Sequence, residues 1–213
     1  MSNHRYFVLH KPANMVSQFV SPDHVGLLGD LQFPFPEGTH AIGRLDSHSE
    51  GLLLLTTNKK VTNLLFLGEV PHKRVYLVLV GGIVSSETLS QLRNGIAIRI
   101  KGGGDYVTSP CDVDIIPRPN WLPKGKSEEY DVPRTWLSIA LTEGKYHQVR
   151  KMVRVAGHRC KRLLRVSIED LELGDLQPGK VREIEENDFF NKLRIRNWKQ
   201  TDKTIDDPLV KIR

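Results

Sequence analysis

The sequence is poor in cysteine, since its 213 residues contain only Cys111 and Cys160, which form no CxxC pair. A structural zinc site and a disulfide framework are therefore not indicated, and we expect both thiols to be reduced. Long apolar runs are also missing. No stretch approaches the roughly 20 apolar residues that cross a bilayer, and the first residues lack the apolar region of a signal peptide. We expect a cytoplasmic chain with no membrane partner.

Patterns for binding metals and nucleotides are missing as well. His147, His158 and Cys160 fit no standard zinc spacing, and no second cysteine pair completes four ligands. The glycines at 102–104 are not followed by the Gly-Lys-Ser/Thr and helix of a phosphate loop, so they predict a hairpin turn. His48 has no accompanying nucleophile motif and is predicted to face solvent in a turn. The sequence thus indicates neither a metal nor a nucleotide cofactor.

Positive charge is concentrated in one short stretch. The formal net charge is +6, and residues 145–165 contain eight Lys or Arg residues and no acidic one, so +6 minus 8 leaves the remainder at −2. A charge run is usually a solvated face, but one this one-sided favours contact with phosphates. The eight cations are Lys145, Arg150, Lys151, Arg154, Arg159, Lys161, Arg162 and Arg165.

Apolar spacing predicts a mixture of strands and helices in one catalytic unit, for which 213 residues provide a sizeable core. Strands are predicted at 6–10, 75–80 and 136–141, with a hairpin around the glycine run. Helices are predicted after Asn58, after Ser85 or Ser86, and from about 146 to 156, where Gly157 is the left-handed C-terminal residue. The segment 117–133 is predicted to be a long loop that does not pack internally and that clamps a ligand.

One carboxylate is placed where a polar turn enters an apolar strand. Asp46 ends the string Gly43-Arg44-Leu45-Asp46, and a run of four leucines begins at Leu52. An aspartate in a turn more often only bonds to nearby backbone groups. The surrounding string is therefore what distinguishes Asp46 as a candidate catalytic acid.

Four segments together resemble the pseudouridine synthase family over roughly residues 5–186. They are His10-Lys11-Pro12, Gly43-Arg44-Leu45-Asp46, Lys73-Arg74-Val75-Tyr76 and the segment from Glu143 to Met152, Glu-Gly-Lys-Tyr-His-Gln-Val-Arg-Lys-Met. Within the family, Ser49-Glu50-Gly51-Leu52-Leu53, the Gln-Val-Arg-Lys-Met helix and Arg162-Leu163-Leu164-Arg165 favour the branch that contains RsuA and RluE. The resemblance is to its short members, which lack an N-terminal S4 domain.

The resemblance implies an α+β fold in which a central, mainly antiparallel mixed sheet spans two subdomains, with the catalytic cleft between them. We expect the catalytic domain to cover residues 1–190, followed by a loosely held tail at 191–213. The family isomerises uridine to pseudouridine without redox change, so no cofactor is implied. The implied partner is 23S ribosomal RNA, free or in an assembly intermediate, bound by the catalytic unit itself in a monomer.

The resemblance also assigns roles to residues of this sequence. Asp46 is the catalytic acid, acting either as nucleophile at the sugar C1′ or as base at C2′. Arg150 is its basic partner, and Tyr76 stacks on the uracil and assists removal of the C5 proton. Contacts to substrate or RNA are expected from Arg44, Lys11, Gln148, Lys145, Lys151, Arg154, Arg162 and Arg165.

Two other functions stay open from the sequence. The same reaction on transfer RNA or another ribosomal site is compatible with every motif. A non-catalytic RNA-binding factor for ribosome assembly is the alternative from another class. It is disfavoured because a protein that only binds a polyanion has no physical need for an acid in its cleft.

Overall fold

The computed structural model describes residues 4–66, 71–129, 132–196 and 198. Over these residues the chain forms eleven strands, four short α-helices and two 3-10 turns at Leu28–Asp30 and Lys126–Glu128, and no helix among them has the length and apolarity to cross a membrane. The strands are β1 (Tyr6–Lys11), β2 (His40–Ile42), β3 (Glu50–Thr56), β4 (Arg74–Gly81), β5 (Ala97–Arg99), β6 (Asp105–Val107), β7 (Asp112–Ile116), β8 (Arg134–Leu141), β9 (Cys160–Ile168), β10 (Leu171–Glu172) and β11 (Val181–Ile184). The helices are α1 (Val61–Phe66), α2 (Ser86–Asn94), α3 (Gln148–Val155) and α4 (Glu186–Lys192).

Nine strands form one mixed sheet in the order β11-β1-β3-β9-β4-β8-β7, with β2 paired to β3 and β10 paired to β9. Its pairs are antiparallel except for β3 and β9, which run parallel through Glu50–Leu164 and Gly51–Arg165. This short parallel pairing, the seam, joins a first half-sheet (β11, β1, β3, β2) to a second one (β9, β4, β8, β7, β10). The predicted α+β fold with a mainly antiparallel mixed sheet is confirmed.

Strand β3 carries the polar turn of Asp46 into the core. All seven of its residues are buried. Leu52 and Leu54 pack into one apolar cluster and Leu53 and Leu55 into another, because successive side chains of a strand point to opposite faces. A strand covered on both faces needs a continuous apolar run, as the sequence predicted here.

Gly51 allows the two half-sheets to meet. Its φ is +99°, and a Cβ built there would lie 2.2 Å from the carbonyl oxygen of Arg165. A side chain cannot occupy that space, so only glycine permits the seam at this register. The seam in turn fixes where β9 places its side chains relative to the Asp46 turn.

Helices α2 and α3 cover the second half-sheet. The Ser85 hydroxyl accepts from the Thr88 amide at 3.3 Å and caps α2, and Gly157 follows α3 with φ +86°. Met152 and Val153 of α3 are buried in the same cluster as the sheet residues. Both predicted helices are confirmed, but α3 begins two residues later than expected because His147 adopts a left-handed φ of 55°.

The prediction that the 117–133 loop does not pack is wrong for its described residues, because the loop packs against the fold. The Leu122 side chain is 2% exposed and belongs to the core. Glu128 accepts from Arg118 Nε at 2.7 Å and from Arg162 Nη1 at 3.1 Å. A carboxylate between two guanidiniums anchors the loop, an interaction that its Pro-rich composition did not indicate.

The expectation of a loosely held segment from residue 191 onward is also wrong for residues 191–196 and 198. Leu193 and Ile195 are 0% and 8% exposed within the core. The ring of Trp198 stacks on Phe190 at 4.1 Å between centroids. These apolar side chains are too widely spaced to form an obvious pattern, and their burial comes from long-range packing. Residues 197 and 199–213 of the predicted tail lie outside the described residues.

Arg162 links strand β9 to the 117–133 loop through a buried ion-pair network. Its Nε and Nη2 atoms donate to the two Glu50 carboxylate oxygens at 2.7 and 2.8 Å, and its side chain is 7% exposed.

Removing Glu50 leaves that guanidinium short of a buried partner, so Glu50→Ala should lower the free energy of unfolding by about 3 kcal/mol in urea denaturation. Glu183→Ala, which breaks an exposed pair with Arg5, is the control and should cost less than about 1 kcal/mol. Equal losses for the two variants would contradict this.

Candidate active site

The Asp46 turn is held by side chains from two other segments. The Leu45 amide donates to Ser17 Oγ, and that hydroxyl donates to the Leu45 carbonyl, each at 3.0 Å. Arg150 Nη2 donates to the carbonyl of His48 at 2.9 Å and to Ser49 Oγ at 3.2 Å. The Asp46 side chain is 31% exposed at the mouth of a cleft. The acid is therefore accessible on a turn that is fixed on both sides.

Lys11 lies beneath this turn and not on the surface. It is 0% exposed, and its Nζ donates to the carbonyls of Pro12, Met15 and Ser47 at 2.8, 2.6 and 3.3 Å. The predicted RNA contact by Lys11 is wrong, because its three donors are used inside the protein. Burial lowers the pKa of the Lys11 ammonium to about 8, against the opposing effect of Glu50 and Asp46.

This lowered pKa makes stability depend on pH. The unfolded lysine titrates near 10.5 and the folded one near 8, so the unfolded chain binds more protons in between and stability rises with pH through that window. The Lys11 contribution should amount to up to about 3 kcal/mol between those pH values. Urea midpoints measured from pH 7.5 to 10.5 should rise less steeply for Lys11→Met than for the unchanged protein. Parallel slopes in the two proteins would contradict the buried, charged lysine.

Two basic groups from the α3 region flank Asp46. His147 Nε2 lies 3.3 Å from Asp46 Oδ1, and Arg150 Nε lies 4.0 Å from Oδ2. The left-handed backbone of His147 turns its ring toward the acid, and the ring stacks on Tyr146 at 3.9 Å. Arg150 thus lies where the resemblance implied, but His147 is the closer group. Each carboxylate oxygen of Asp46 therefore has a basic side chain beside it.

The remaining walls of the cleft come from β4, β9 and the loop before α3. The cavity has a volume of about 320 Å³. Tyr76 and Arg165 are cross-strand neighbours on β4 and β9, so their side chains share one face. The cleft is lined by Arg44, Asp46, Phe66, Arg74, Tyr76, Glu143, Lys145, Tyr146, His147, Gln148 and Arg165, among others. The predicted acid and tyrosine therefore border the same cavity, and Arg150 approaches the acid from beside it.

The Gln148 side chain is buried and forms hydrogen bonds within the protein. It is 4% exposed; its Nε2 donates to Glu143 Oε1 at 2.6 Å and its Oε1 accepts from the Lys145 amide at 2.8 Å. Glu143 also accepts from the Tyr106 hydroxyl and from the Ser109 amide. These donors hold the pKa of Glu143 below its usual value despite burial. Gln148 therefore fixes the cleft loop, and the RNA contact predicted for it is wrong because both ends of its amide are occupied.

The structure exposes fewer cations than the sequence predicted for an RNA-binding patch. Arg162 is buried between Glu50 and Glu128, so its predicted RNA contact is wrong. Arg165 is 3% exposed and cannot contribute to an outer surface. The predicted cations that do reach the surface are Arg44 and Lys145, which line the cleft, and Arg154, Arg159 and Lys161, which are exposed elsewhere, while Lys151 is half-buried.

Sequence reasoning missed Ser17 and His147. Ser17 lies in a loop without periodic pattern, so nothing local indicated that its hydroxyl bonds to Leu45, 28 residues away. His147 was considered only as a metal ligand. Its position directly before the Gln-Val-Arg segment was an available signal, since a residue at a helix start beside the basic partner faces the same site.

Comparisons with known proteins agree with this geometry. The sequence profile of the family described as RNA pseudouridylate synthase matches residues 5–154. A Vibrio parahaemolyticus protein named ribosomal large subunit pseudouridine synthase E is 33% identical, covering 87% of this chain and 76% of that protein. Its namesake from Xanthomonas axonopodis pv. citri is 34% identical over 80% and 89% of the two chains. Escherichia coli K12 ribosomal small subunit pseudouridine synthase A is 28% identical over 87% and 72%.

Solved structures show the same fold. A pseudouridylate synthase crystal structure superposes with a TM-score of 0.72 at 24% identity, over 91% of this chain and 75% of the other. The family predicted from the four segments, and the branch predicted within it, are confirmed by the profile match and the named relatives. The profile match, the relatives above 30% identity and the shared fold lead to one conclusion: this chain belongs to the RNA pseudouridylate synthase family.

Proposed function

We propose that this protein converts a uridine of large-subunit ribosomal RNA to pseudouridine. The observation that carries the proposal is that Asp46 and Tyr76 line one cleft, with Arg150 beside the acid and the exposed cations Arg44 and Lys145 in the cleft wall. The ribosomal target is supported by the names of the Vibrio and Xanthomonas relatives. We further propose that it acts as a cytoplasmic monomer whose catalytic unit continues to about Trp198.

The proposed reaction begins when the target uridine leaves its stack and enters the cleft, which costs a few kcal/mol. Asp46, which lies between His147 and Arg150, either bonds to C1′ or removes the C2′ proton, and the N1–C1′ bond breaks. The uracil turns and rejoins through C5. The Tyr76 ring packs against the base while the exposed cations hold the flanking phosphates. No electron acceptor or transferred group enters this isomerisation.

The direct test is a map of pseudouridine in total RNA from cells that lack the protein. Carbodiimide labelling and primer extension should show one large-subunit site missing, restored by the unchanged protein and not by Asp46→Asn. Loss of a pseudouridine in small-subunit ribosomal RNA or in transfer RNA would mean that the target is that RNA instead. Small-subunit RNA should be mapped because one relative is named as a small-subunit enzyme. Unchanged maps in all these RNAs would overturn the enzymatic proposal.

The exposed cations should act through RNA phosphates. Arg154 is exposed on α3 beside a cationic hollow that also contains Arg150 and Arg159. Arg154→Gln should weaken RNA binding and reduce the slope of log K against log salt by about 0.7 to 0.9, the contribution of one phosphate contact. Arg182→Gln, an equal charge change on the distant strand β11, is the control and should leave the slope unchanged. Equal slopes for the two variants would argue against this RNA path.

A further inference from the structure

Arg165 is a buried cation at the inner wall of the cleft. It is 3% exposed, and β9 places it between Gly51 of β3 and Tyr76 of β4. Its Nε donates to the Leu52 carbonyl at 2.8 Å. The seam therefore fixes the guanidinium opposite the Tyr76 side chain and on the same face of the sheet.

Arg165 lacks the compensation that a buried charge normally has. No Asp or Glu among the described residues forms an ion pair with Arg165. Its buried Nη2 atom has no hydrogen-bond acceptor among the described residues. Arg162, three residues earlier on the same strand, contrasts with it because Glu50 and Glu128 surround that guanidinium. A buried unpaired cation is costly to the fold. Its presence in the cleft wall therefore indicates a functional role.

The polar neighbour of Arg165 at the cleft is Tyr76. Burial lowers the pKa of the Arg165 guanidinium, the nearby Tyr76 side chain opposes that effect, and Arg74, a second cation, adds to it. An arginine remains charged at neutral pH all the same. The Tyr76 oxygen is therefore the ionisable group placed to compensate Arg165 when that oxygen carries negative charge.

We propose that Arg165 is a positioning residue that stabilises negative charge on the Tyr76 oxygen while Tyr76 removes the C5 proton of the rejoined base. This inference rests on the proposed function. Once the C5–C1′ bond has formed, C5 still carries its hydrogen. Tyr76 enters this step having given its hydroxyl proton to solvent. The C5–H bond then breaks: its proton passes to the Tyr76 oxygen, its electron pair forms the C5–C6 double bond, and the pair of the N1–C6 double bond moves to N1, which takes a proton from solvent. One proton has left to solvent and one has returned, so the tyrosine is regenerated and the product has the formula of the substrate.

A double-mutant cycle tests whether Arg165 acts through Tyr76. Single-turnover rates would be measured on the mapped RNA for Tyr76→Phe, Arg165→Gln and the double variant, with RNA affinity and melting temperature checked for each. Tyr76→Phe should lose about 10³-fold and Arg165→Gln about 10²-fold. The double variant should be no slower than Tyr76→Phe, within about 3-fold, because the second change removes support for a group already absent. Arg165→Lys, which keeps the charge, should recover part of the rate.

Two further measurements separate this role from a structural one. Deuterium at C5 of the target uridine should lower the rate of Arg165→Gln by a larger factor than it lowers the rate of the unchanged protein. The reason is that removal of the C5 proton has become the slow step in the variant. Arg44→Gln, a charge removal at the rim of the same cleft, should combine with Tyr76→Phe multiplicatively.

The outcomes distinguish the two proposals. Multiplicative losses for Arg165→Gln and Tyr76→Phe, or no deuterium effect in Arg165→Gln, would overturn the role of Arg165 and leave the enzyme intact. An unchanged protein that isomerises none of the mapped RNAs would overturn the proposed function and this inference with it. Should Arg165→Gln fail to fold, the same cycle with Arg165→Lys decides the question.

Discussion

Asp46→Asn is expected to abolish isomerisation, with a loss of about 10⁴-fold, while RNA affinity changes by no more than a few-fold. The amide keeps the size of the side chain and can still bond to His147 and Arg150. It cannot act as nucleophile or as base, so either route from Asp46 is closed. Single-turnover formation of pseudouridine and filter binding on the same RNA would measure the two effects.

Asp46 lies in a turn that several side chains hold, so its replacement should not disturb the fold. The melting temperature of Asp46→Asn should stay close to that of the unchanged protein. Asp30→Asn is a suitable control, since Asp30 bonds to the Leu27 amide in a distant loop and should retain full turnover. Turnover by Asp46→Asn within about 10-fold of the unchanged protein would remove Asp46 from the mechanism.

Gly51→Ala is expected to cost on the order of 4 kcal/mol or more in the free energy of unfolding. The new Cβ would lie 2.2 Å from the Arg165 carbonyl oxygen and 2.9 Å from its amide nitrogen, on a residue with φ +99°. Backbone atoms on a central strand cannot move away without separating β3 from β9. Urea denaturation followed by circular dichroism would measure the loss, and the soluble yield should fall with it.

Gly157→Ala separates crowding from backbone strain. Gly157 also has a left-handed φ, +86°, but nothing lies within 4 Å of a Cβ built there. Its substitution should therefore cost only about 1 kcal/mol, the ordinary penalty for a side chain in that region. Similar losses at the two glycines would mean that the seam tolerates a side chain.

The strands and helices were predictable where one local pattern determined them. The leucine run of β3 and the i, i+3, i+4 spacing of α3 are short-range signals, and both elements form. The left-handed His147 that delays α3 is a tertiary effect, because its ring reaches Asp46. The packed 117–133 loop and residues 193–195 depend on partners distant in sequence, which no local pattern specifies.

The site was predictable as a set of motifs but not as an arrangement of charges. The motifs placed Asp46 and Tyr76 at one cavity correctly. Composition could count the cations of the basic stretch, but it could not tell that Arg162 bonds to two glutamates or that Lys11 bonds to three carbonyls. Burial separates these residues from the surface cations, and burial is a property of the sheet register.

The sheet order also determines when this fold can assemble. Strand β1 is paired to β3 on one side and to β11 on the other, through pairs such as Tyr6 with Ile184. Strand β1 can therefore complete its pairing only after β11, near the opposite end of the described chain, has been made. Contacts between segments so far apart in sequence form slowly. During synthesis the Asp46 turn would emerge long before β9 and β11. The cleft is consequently a late product of folding, and a ribosome-bound nascent chain should have no isomerase activity.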